Sequence, residues 1–428
     1  MSVGPRGWPT SFPADAEVPS LAAAADARRF LPALARGLGI PIERGTLIRV
    51  RYRRGSRCVL HWRVQSAGTE RLVTAAVYAK AGRAERTWRK LPRDEAWVTA
   101  RAIAGVDPAA YVPEVDALVQ VYPYDRRLPG LALALGERQA ELVQYRPGLG
   151  AVLRGRDDTG AVYVKLYRAD EQPPPQLPAT SPHFDVVERV GFLERYNAVV
   201  LRAARGAPLI DLLGRADAAA AAASALTAFH DTPLPLRRVA ADDRVAELAR
   251  SAALIGSVDC EAGADAHRLV EQLGSLLDDD EVATTHRDLK PDHVLLDGDR
   301  VTFLDLDSAA AADPVADVGL LLARISSAPR LRGADARAAA ATGAVFSRTY
   351  FARSPRRRKV RLEPHLAAAL LETAASTFRR QHPGWRDHLP ALVAEGSAVL
   401  AAAGGKRPVA TKPWPKPAIY KSGRDGYP

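Results

Sequence analysis

Two stretches of the chain repeat one alternation of apolar and polar positions. Tyr52-Arg53-Arg54-Gly55-Ser56-Arg57-Cys58-Val59-Leu60 leads to Val77-Tyr78-Ala79-Lys80, and Tyr145-Arg146-Pro147-Gly148-Leu149-Gly150-Ala151-Val152-Leu153 leads to Val162-Tyr163-Val164-Lys165. Each predicts strand, glycine turn, strand, turn, strand, with a lysine closing the third strand. After the first copy, residues 84–103 are rich in helix formers and offer Glu85 and Glu95 as partners for Lys80. After the second copy, Pro173-Pro174-Pro175, Pro178 and Pro182 break any long helix. That leaves a short predicted helix over 184–190, with Glu188 as the partner for Lys165.

Beyond Val199 to Leu209, the expected hinge, the period lengthens from strand to helix. Residues 218–229 are alanine-rich and end at His230-Asp231 before Pro233, where His230 is expected to cap or pack the helix end. Val245, Leu248, Ala249 and Ala252 share one helical face, as do Leu269, Val270, Leu273, Leu276 and Leu277. Further helices are predicted through residues 313–403, with Trp385 as a core anchor. The helical half is interrupted once. Val282-Ala283 and Val294-Leu295-Leu296 flank a polar loop, Asp297-Gly298 supplies a turn, and Val301 to Leu304 return as a paired strand.

The candidate chemistry lies on that interruption. The loop reads His286-Arg287-Asp288-Leu289-Lys290-Pro291-Asp292-His293, the returning strand ends in Asp305-Leu306-Asp307, and Asp313-Pro314-Val315-Ala316-Asp317 follows. A hairpin of this length brings Asp288 and Asp305 to one end of a sheet. Two carboxylates so placed suit phosphoryl transfer: Asp288 orients or deprotonates an attacking hydroxyl, and Asp305 holds a divalent ion against nucleotide phosphates. Isolated aspartates are commonly turn or cap residues. The ordered set, with Lys290 beside Asp288, argues against that reading here.

At these residues the chain resembles the aminoglycoside-phosphotransferase-like family of small-molecule kinases, within the protein-kinase-like superfamily. The similarity is concentrated over 282–322. It implies an α+β, two-lobed protein-kinase-like fold, with a β-rich N-lobe, an α-helical C-lobe and ATP between them. By position, Asp288 matches the catalytic aspartate, Asp305 the metal-binding aspartate, and Asp317 an acid that braces the loop. His293 stands where the family usually has Asn or Gln as a second metal ligand; Mg2+ is the expected ion, and because magnesium prefers oxygen donors the imidazole either removes the second metal or shifts preference toward Mn2+. Lys165 is the expected phosphate lysine, with Lys80 its rival, and Lys290 is expected to help neutralise the transferred group. The short interval between Asp305 and Asp313 leaves no room for a peptide-docking activation segment, so the acceptor is expected to be a small-molecule hydroxyl. A nucleotide-binding pseudokinase or scaffold is the alternative.

Composition narrows the rest. A length of 428 residues with 47% hydrophobic content supports two to three structural units and a sizeable core. The expected units are a mobile segment 1–20, a cap resembling a kinase N-lobe over 21–136, the working N-lobe over 137–205, the helical C-lobe over 206–403, and a mobile tail over 404–428. Two cysteines are too few for a disulfide framework, no apolar run is long enough to span a membrane, and no leader pattern opens the chain. A cytoplasmic protein is expected. The net charge of +11 suggests nucleic acid, but the one compact basic run, Arg356-Arg357-Arg358-Lys359, lacks interleaved aromatics and reads as a solvated helix end. Residues 331–400 carry twelve Lys/Arg against five Asp/Glu, where this family builds its acceptor pocket. A neutral or anionic acceptor is therefore expected rather than a polycation.

Overall fold

The computed structural model describes residue 12 and residues 15–177 and 181–404. The expected mobile tail, and most of the expected mobile N-terminus, lie outside the described residues. A first unit comprises α1 (Leu21–Ala25), α2 (Ala27–Leu38), β1 (Arg44–Arg53), β2 (Arg57–Ser66), β3 (Thr69–Tyr78), α3 (Arg83–Arg89), α4 (Glu95–Ala104), β4 (Ala109–Val112) and β5 (Ala117–Val121). Its antiparallel sheet has the order β1-β2-β3-β5-β4. A second unit follows with α5 (Pro129–Glu137), β6 (Glu141–Arg146), β7 (Gly150–Asp157), β8 (Gly160–Tyr167), β9 (Asp185–Val186), β10 (Arg189–Leu193) and β11 (Ala198–Arg202). Its sheet, β6-β7-β8-β11-β10, repeats the first strand for strand.

The duplication extends to an aspartate upstream of each sheet. Asp125 Oδ2 accepts from the Tyr145 hydroxyl (2.9 Å) and the Gly148 amide (2.6 Å). Asp15 Oδ2 accepts from the Tyr52 hydroxyl and the Gly55 amide, both at 2.8 Å. Each carboxylate thereby fixes a turn whose glycine adopts positive φ, +63° at Gly148 and +65° at Gly55. Residues 15–20 are therefore held against the first sheet, with Val18 buried, and are not mobile as expected.

Strand register corrects the matching of the two lysines. Val59 pairs with Ala76 in the first sheet, and Val152 pairs with Lys165 in the second. Since Tyr52 and Tyr145 open equivalent turns, the counterpart of Lys165 is Ala76. Lys80 lies beyond the end of β3, exposed. The Val-Tyr-x-Lys similarity is a likeness of sequence shifted along the strand.

The units also differ where the helix after the third strand is concerned. The first has α3 and α4 there, and Trp97 of α4 packs on Tyr78, Leu118 and Tyr124. The second has none: 168–177 is irregular, and the expected helix over 184–190 is instead β9 followed by β10. β9 leaves the N-lobe and joins the C-lobe hairpin, its Asp185 and Val186 pairing in parallel with Thr302 and Phe303. Val186, Val190 and Phe192 favour extended backbone, and the prolines exclude a helix upstream. α5 precedes its sheet and covers it, with Leu131 and Ala134 against Leu153, Val164 and Leu166. Gly130 permits this approach, because a Cβ there would come within 2.3 Å of the Tyr196 carbonyl oxygen. The expected boundary after residue 136 thus falls at the end of a helix that belongs with the second sheet.

The C-lobe consists of β12 (Ala207–Pro208), α6 (Ala216–Asp231), α7 (Ala241–Val258), α8 (Cys260–Gly274), β13 (Ala283–Thr285), β14 (Val294–Asp297), β15 (Arg300–Phe303), β16 (Ala310–Ala312), α9 (Val315–Arg332), α10 (Ala336–Ala352), α11 (Arg356–Lys359), α12 (Leu362–Arg379) and α13 (Trp385–Gly404). Trp385 is buried against Phe378, ring centroids 5.0 Å apart, as its expected anchoring role requires. The first unit's core is continuous with that of α7, α8, α12 and α13, so the cap packs on the C-lobe. The basic run is not a solvated helix end. Arg358 is 4% exposed and bonds Glu281 and Asp231, while Arg357 bonds Glu281 from the surface. No described helix is long and apolar enough to cross a membrane.

Candidate active site

The polar loop between β13 and β14 is built around one buried acid. Asp317, in the first turn of α9, is 0% exposed. Its Oδ2 accepts from the His286 amide at 2.6 Å and its Oδ1 from the Arg287 amide at 2.8 Å. Two donors aimed at one carboxylate fix the backbone where Arg287 takes a left-handed φ of +63°. His230 lies 3.2 Å from the same carboxylate and 2.7 Å from the Tyr350 hydroxyl, so it packs the helix end as expected. Burial alone would raise the Asp317 carboxyl, but His230, His286 and the amide bond hold it below its ordinary value. The His286 ring closes the loop, its Nε2 donating to the Leu304 carbonyl at 2.8 Å.

Asp288 and Asp305 meet at the end of the β14–β15 hairpin, as the spacing predicts. Single donor atoms of Asp288, His293 and Asp305 all lie within 4.8 Å of one another. Asp305 adopts φ +58°, which a non-glycine residue rarely takes, and which ends β15 with the carboxylate in the cleft. His293 Nε2 is 3.9 Å from Asp305 Oδ2, its ring stacked on His286, and its Nδ1 is buried without a partner. Burial, aided by the charges of Lys290 and His286, pulls the His293 imidazole down to about 4, so it is neutral at pH 7. A neutral imidazole and two carboxylates form a donor set that fits a divalent ion.

Two lysines complete the cleft. Lys290 Nζ donates to Asp288 Oδ2 at 2.6 Å. Lys165, on β8, pairs with Asp305 and lies 2.7 Å from Asp307 Oδ2. Burial disfavours its charge, yet the two aspartates hold the Lys165 ammonium above its ordinary value. Burial would also raise Asp305, and Lys165 outweighs it, leaving Asp305 at about 2. Lys80, Glu85, Glu95 and Glu188 lie outside this constellation: Glu85 pairs with Arg89, Glu95 with Arg195, and Glu188 lies 3.8 Å from Arg202. Asp307 was not among the expected site residues. The only sequence signal for it is the second acid of Asp-Leu-Asp.

Residues 151–358 match the model of the phosphotransferase enzyme family. No curated protein matches the chain. Among solved structures, choline kinase from Cryptosporidium parvum is similar at 10% identity, covering 62% of this chain and 90% of that one, with a TM-score of 0.44. A thermostable mutant of aminoglycoside phosphotransferase APH(4)-Ia shows 14% identity over 65% of this chain and 100% of its own, TM-score 0.46. Macrolide 2′-phosphotransferase from Brachybacterium faecium shows 16% identity over 60% and 91%, TM-score 0.38. Over 151–358, then, this chain is similar to the phosphotransferase enzyme family.

Proposed function

We propose that the protein transfers the γ-phosphoryl group of ATP to a hydroxyl of a small molecule. The observation that carries this reading is the convergence of Asp288, His293 and Asp305 within 4.8 Å, with Lys165 held on Asp305 from the opposite lobe. In-line transfer needs little covalent help from the protein. It needs a positioned hydroxyl and compensation of charge on the phosphoryl oxygens. Asp288, with Lys290 fixing one oxygen, orients the hydroxyl and takes its proton as the new oxygen–phosphorus bond forms and the bond from the γ-phosphorus to the bridging oxygen breaks, releasing ADP. Lys165, above its ordinary pKa, remains a cation and draws the phosphates toward β8. Asp305 and His293 would hold a divalent ion, which supplies further charge compensation when bound; the nitrogen donor favours Mn2+ relative to an all-oxygen site.

The test begins with nucleotide binding. MgATP or MnATP at about 100 times its dissociation constant is expected to stabilise the protein by roughly 2.7 kcal/mol, and Asp305→Ala is expected to lose this. Asp288→Asn is expected to keep the stabilisation and lose turnover by at least about 100-fold. Undiminished turnover in Asp288→Asn would remove that residue from the mechanism. A nucleotide-holding scaffold needs no carboxylate and lysine pair beside the phosphates, so the Asp288–Lys290 contact argues against it.

A further inference from the structure

A small pocket of about 80 Å³ opens beside the His286–His293 loop, between Pro291 and the facing ends of α9 and α12. Its charged lining is cationic: Arg324 and Arg332 from α9, and Arg380 just past α12, with His382 beyond. Nearby carboxylates are already committed. Lys290 takes Asp288, Arg332 takes Asp292 at 2.7 Å, and Arg244 takes Glu372 through two contacts. No carboxylate among the described residues lies within ion-pair distance of Arg324 or Arg380. The Arg324 Nε is fully buried and has no hydrogen-bond partner.

Two more arginines without an ion-pair partner among the described residues lie within reach of Arg380's charge. Arg49 lies on β1 of the cap, and Arg146 ends β6, just before the glycine turn. Arg49 is close enough to Arg380 and Arg146 to feel the charge of both, and Arg380 feels Asp288, Arg332 and Arg146. Burial and these like charges disfavour the charged form of Arg49 and of Arg380. Like charges that outnumber their counter-ions raise the energy of the folded chain, and a bound anion relieves that. Guanidinium groups suit such a role, since each presents a planar fork to an oxyanion.

We propose that the acceptor is an anionic alcohol, a small molecule whose phosphate or carboxylate group is received by Arg324 and Arg380 while its hydroxyl meets Asp288. This deepens the phosphotransferase reading and rests on it. It also gives the cap a role, because Arg49 adds its charge to that of Arg380 and Arg146. A polyamine acceptor would be repelled by the same side chains.

The first probe is inorganic phosphate, compared with chloride at matched ionic strength. Phosphate is expected to raise the melting temperature of the wild-type chain, to do so with MgATP or MnATP present, and to lose the effect in Arg324→Gln/Arg380→Gln. Sugar phosphates, hydroxy acids, uncharged sugars and aminoglycosides are then offered with the metal nucleotide. Turnover of the anionic classes alone is expected, the phosphate and carboxylate arms showing which oxyanion is used. Arg380→Gln and Arg49→Gln should each lower acceptor kcat/KM by roughly 10- to 100-fold with nucleotide KM unchanged. Arg380 lies just past the end of α12, so its variant keeps the test open if loss of Arg324 prevents folding. Absence of a phosphate effect on the wild type overturns the proposal, as does transfer to an uncharged or cationic acceptor. A rise in nucleotide KM with acceptor KM intact would also overturn it, by assigning the arginines to the nucleotide. Failure of the metal nucleotide itself to stabilise the chain removes the phosphotransferase reading, whereas nucleotide binding with a cationic acceptor removes only the anionic one.

Discussion

Lys165 Nζ lies 2.7 Å from Asp307 Oδ2, an ion pair that ties the N-lobe sheet to the loop leaving the catalytic hairpin. In a protein-kinase arrangement that lysine is paired by a glutamate on the helix after the third strand. Here the prolines at 173–175 exclude the helix, and the chain uses the same stretch to carry β9 down to β15. The anchor therefore comes from below. Tyr167, two residues along β8, lies near the same pair, and burial and then Asp307 push its phenol up.

Asp307→Asn tests that substitution of parts. The amide keeps the shape but removes one of two negative charges holding Lys165, leaving the ammonium less well placed on the phosphates. Nucleotide affinity is expected to fall about tenfold, corresponding to the loss of one charge-assisted contact. Calorimetric titration with the metal nucleotide reads this directly, and unchanged affinity would make Asp307 a bystander.

Asp317→Ala is expected to be costly to folding rather than to chemistry alone. The substitution leaves the His286 and Arg287 amides without their acceptor and His230 without its partner, all at the base of the loop. Removing one partner of a buried charged network costs about 3–5 kcal/mol. The folded Asp317 carboxyl is held below its unfolded value, so its contribution is present above the unfolded pKa near 4 and fades as pH falls through the folded value. Urea unfolding at pH 7 should show the loss, and the wild-type advantage over Asp317→Ala should shrink in acid. An Asp317→Ala chain as stable as the wild type would show that the loop holds itself.

His61 offers a pH-dependence of the opposite chemical type. It is 4% exposed on β2, edge-on to Tyr145 at 5.4 Å, and neither ring nitrogen has a partner. Burial, with Arg49 and Arg63, depresses its folded pKa to about 3. Between that value and the unfolded 6.5 the unfolded chain binds more protons, so this group's contribution is fully present above pH 6.5 and is lost as pH falls toward 3. His61→Phe keeps the ring contact and removes two unsatisfied polar atoms. It is expected to raise stability by roughly 1–3 kcal/mol and to flatten the decline between about pH 6.5 and 5. A decline as steep as the wild type's would assign the acid sensitivity elsewhere.

The parts legible in the sequence were those set by short-range chemistry. The hairpin from Val294 to Phe303 and its two acids follow from local strand and turn signals, and the glycine turns at 55 and 148 mark the duplication. The structure shows three things that local signals do not carry. Asp15 and Asp125 reach their tyrosines across a whole helix, so no window contains both ends of the motif. β9 was hidden because a two-residue strand is fixed by its partner, β15, more than by its own composition. The cationic pocket joins residues 324, 332 and 380, with residues 49 and 146 close enough to feel the charge of 380 or of each other, a proximity only the packed fold creates.

The two lysines show the same limit most sharply. Val77-Tyr78-Ala79-Lys80 and Val162-Tyr163-Val164-Lys165 align by residue type, yet strand pairing sets Lys165 against Val152 and places Ala76, not Lys80, in the equivalent position. Side chains alternate faces along a strand, so register decides what each lysine can touch. Lys165→Ala is therefore expected to lower nucleotide affinity by at least about tenfold, because it removes the ammonium shared by Asp305 and Asp307. Lys80→Ala, at an exposed site beyond β3, is expected to change affinity less than about twofold and stability by at most about 0.5 kcal/mol. Parallel nucleotide titrations of the two variants check this. Equal losses would mean that the first unit also takes part in the nucleotide site, and that the register argument fails.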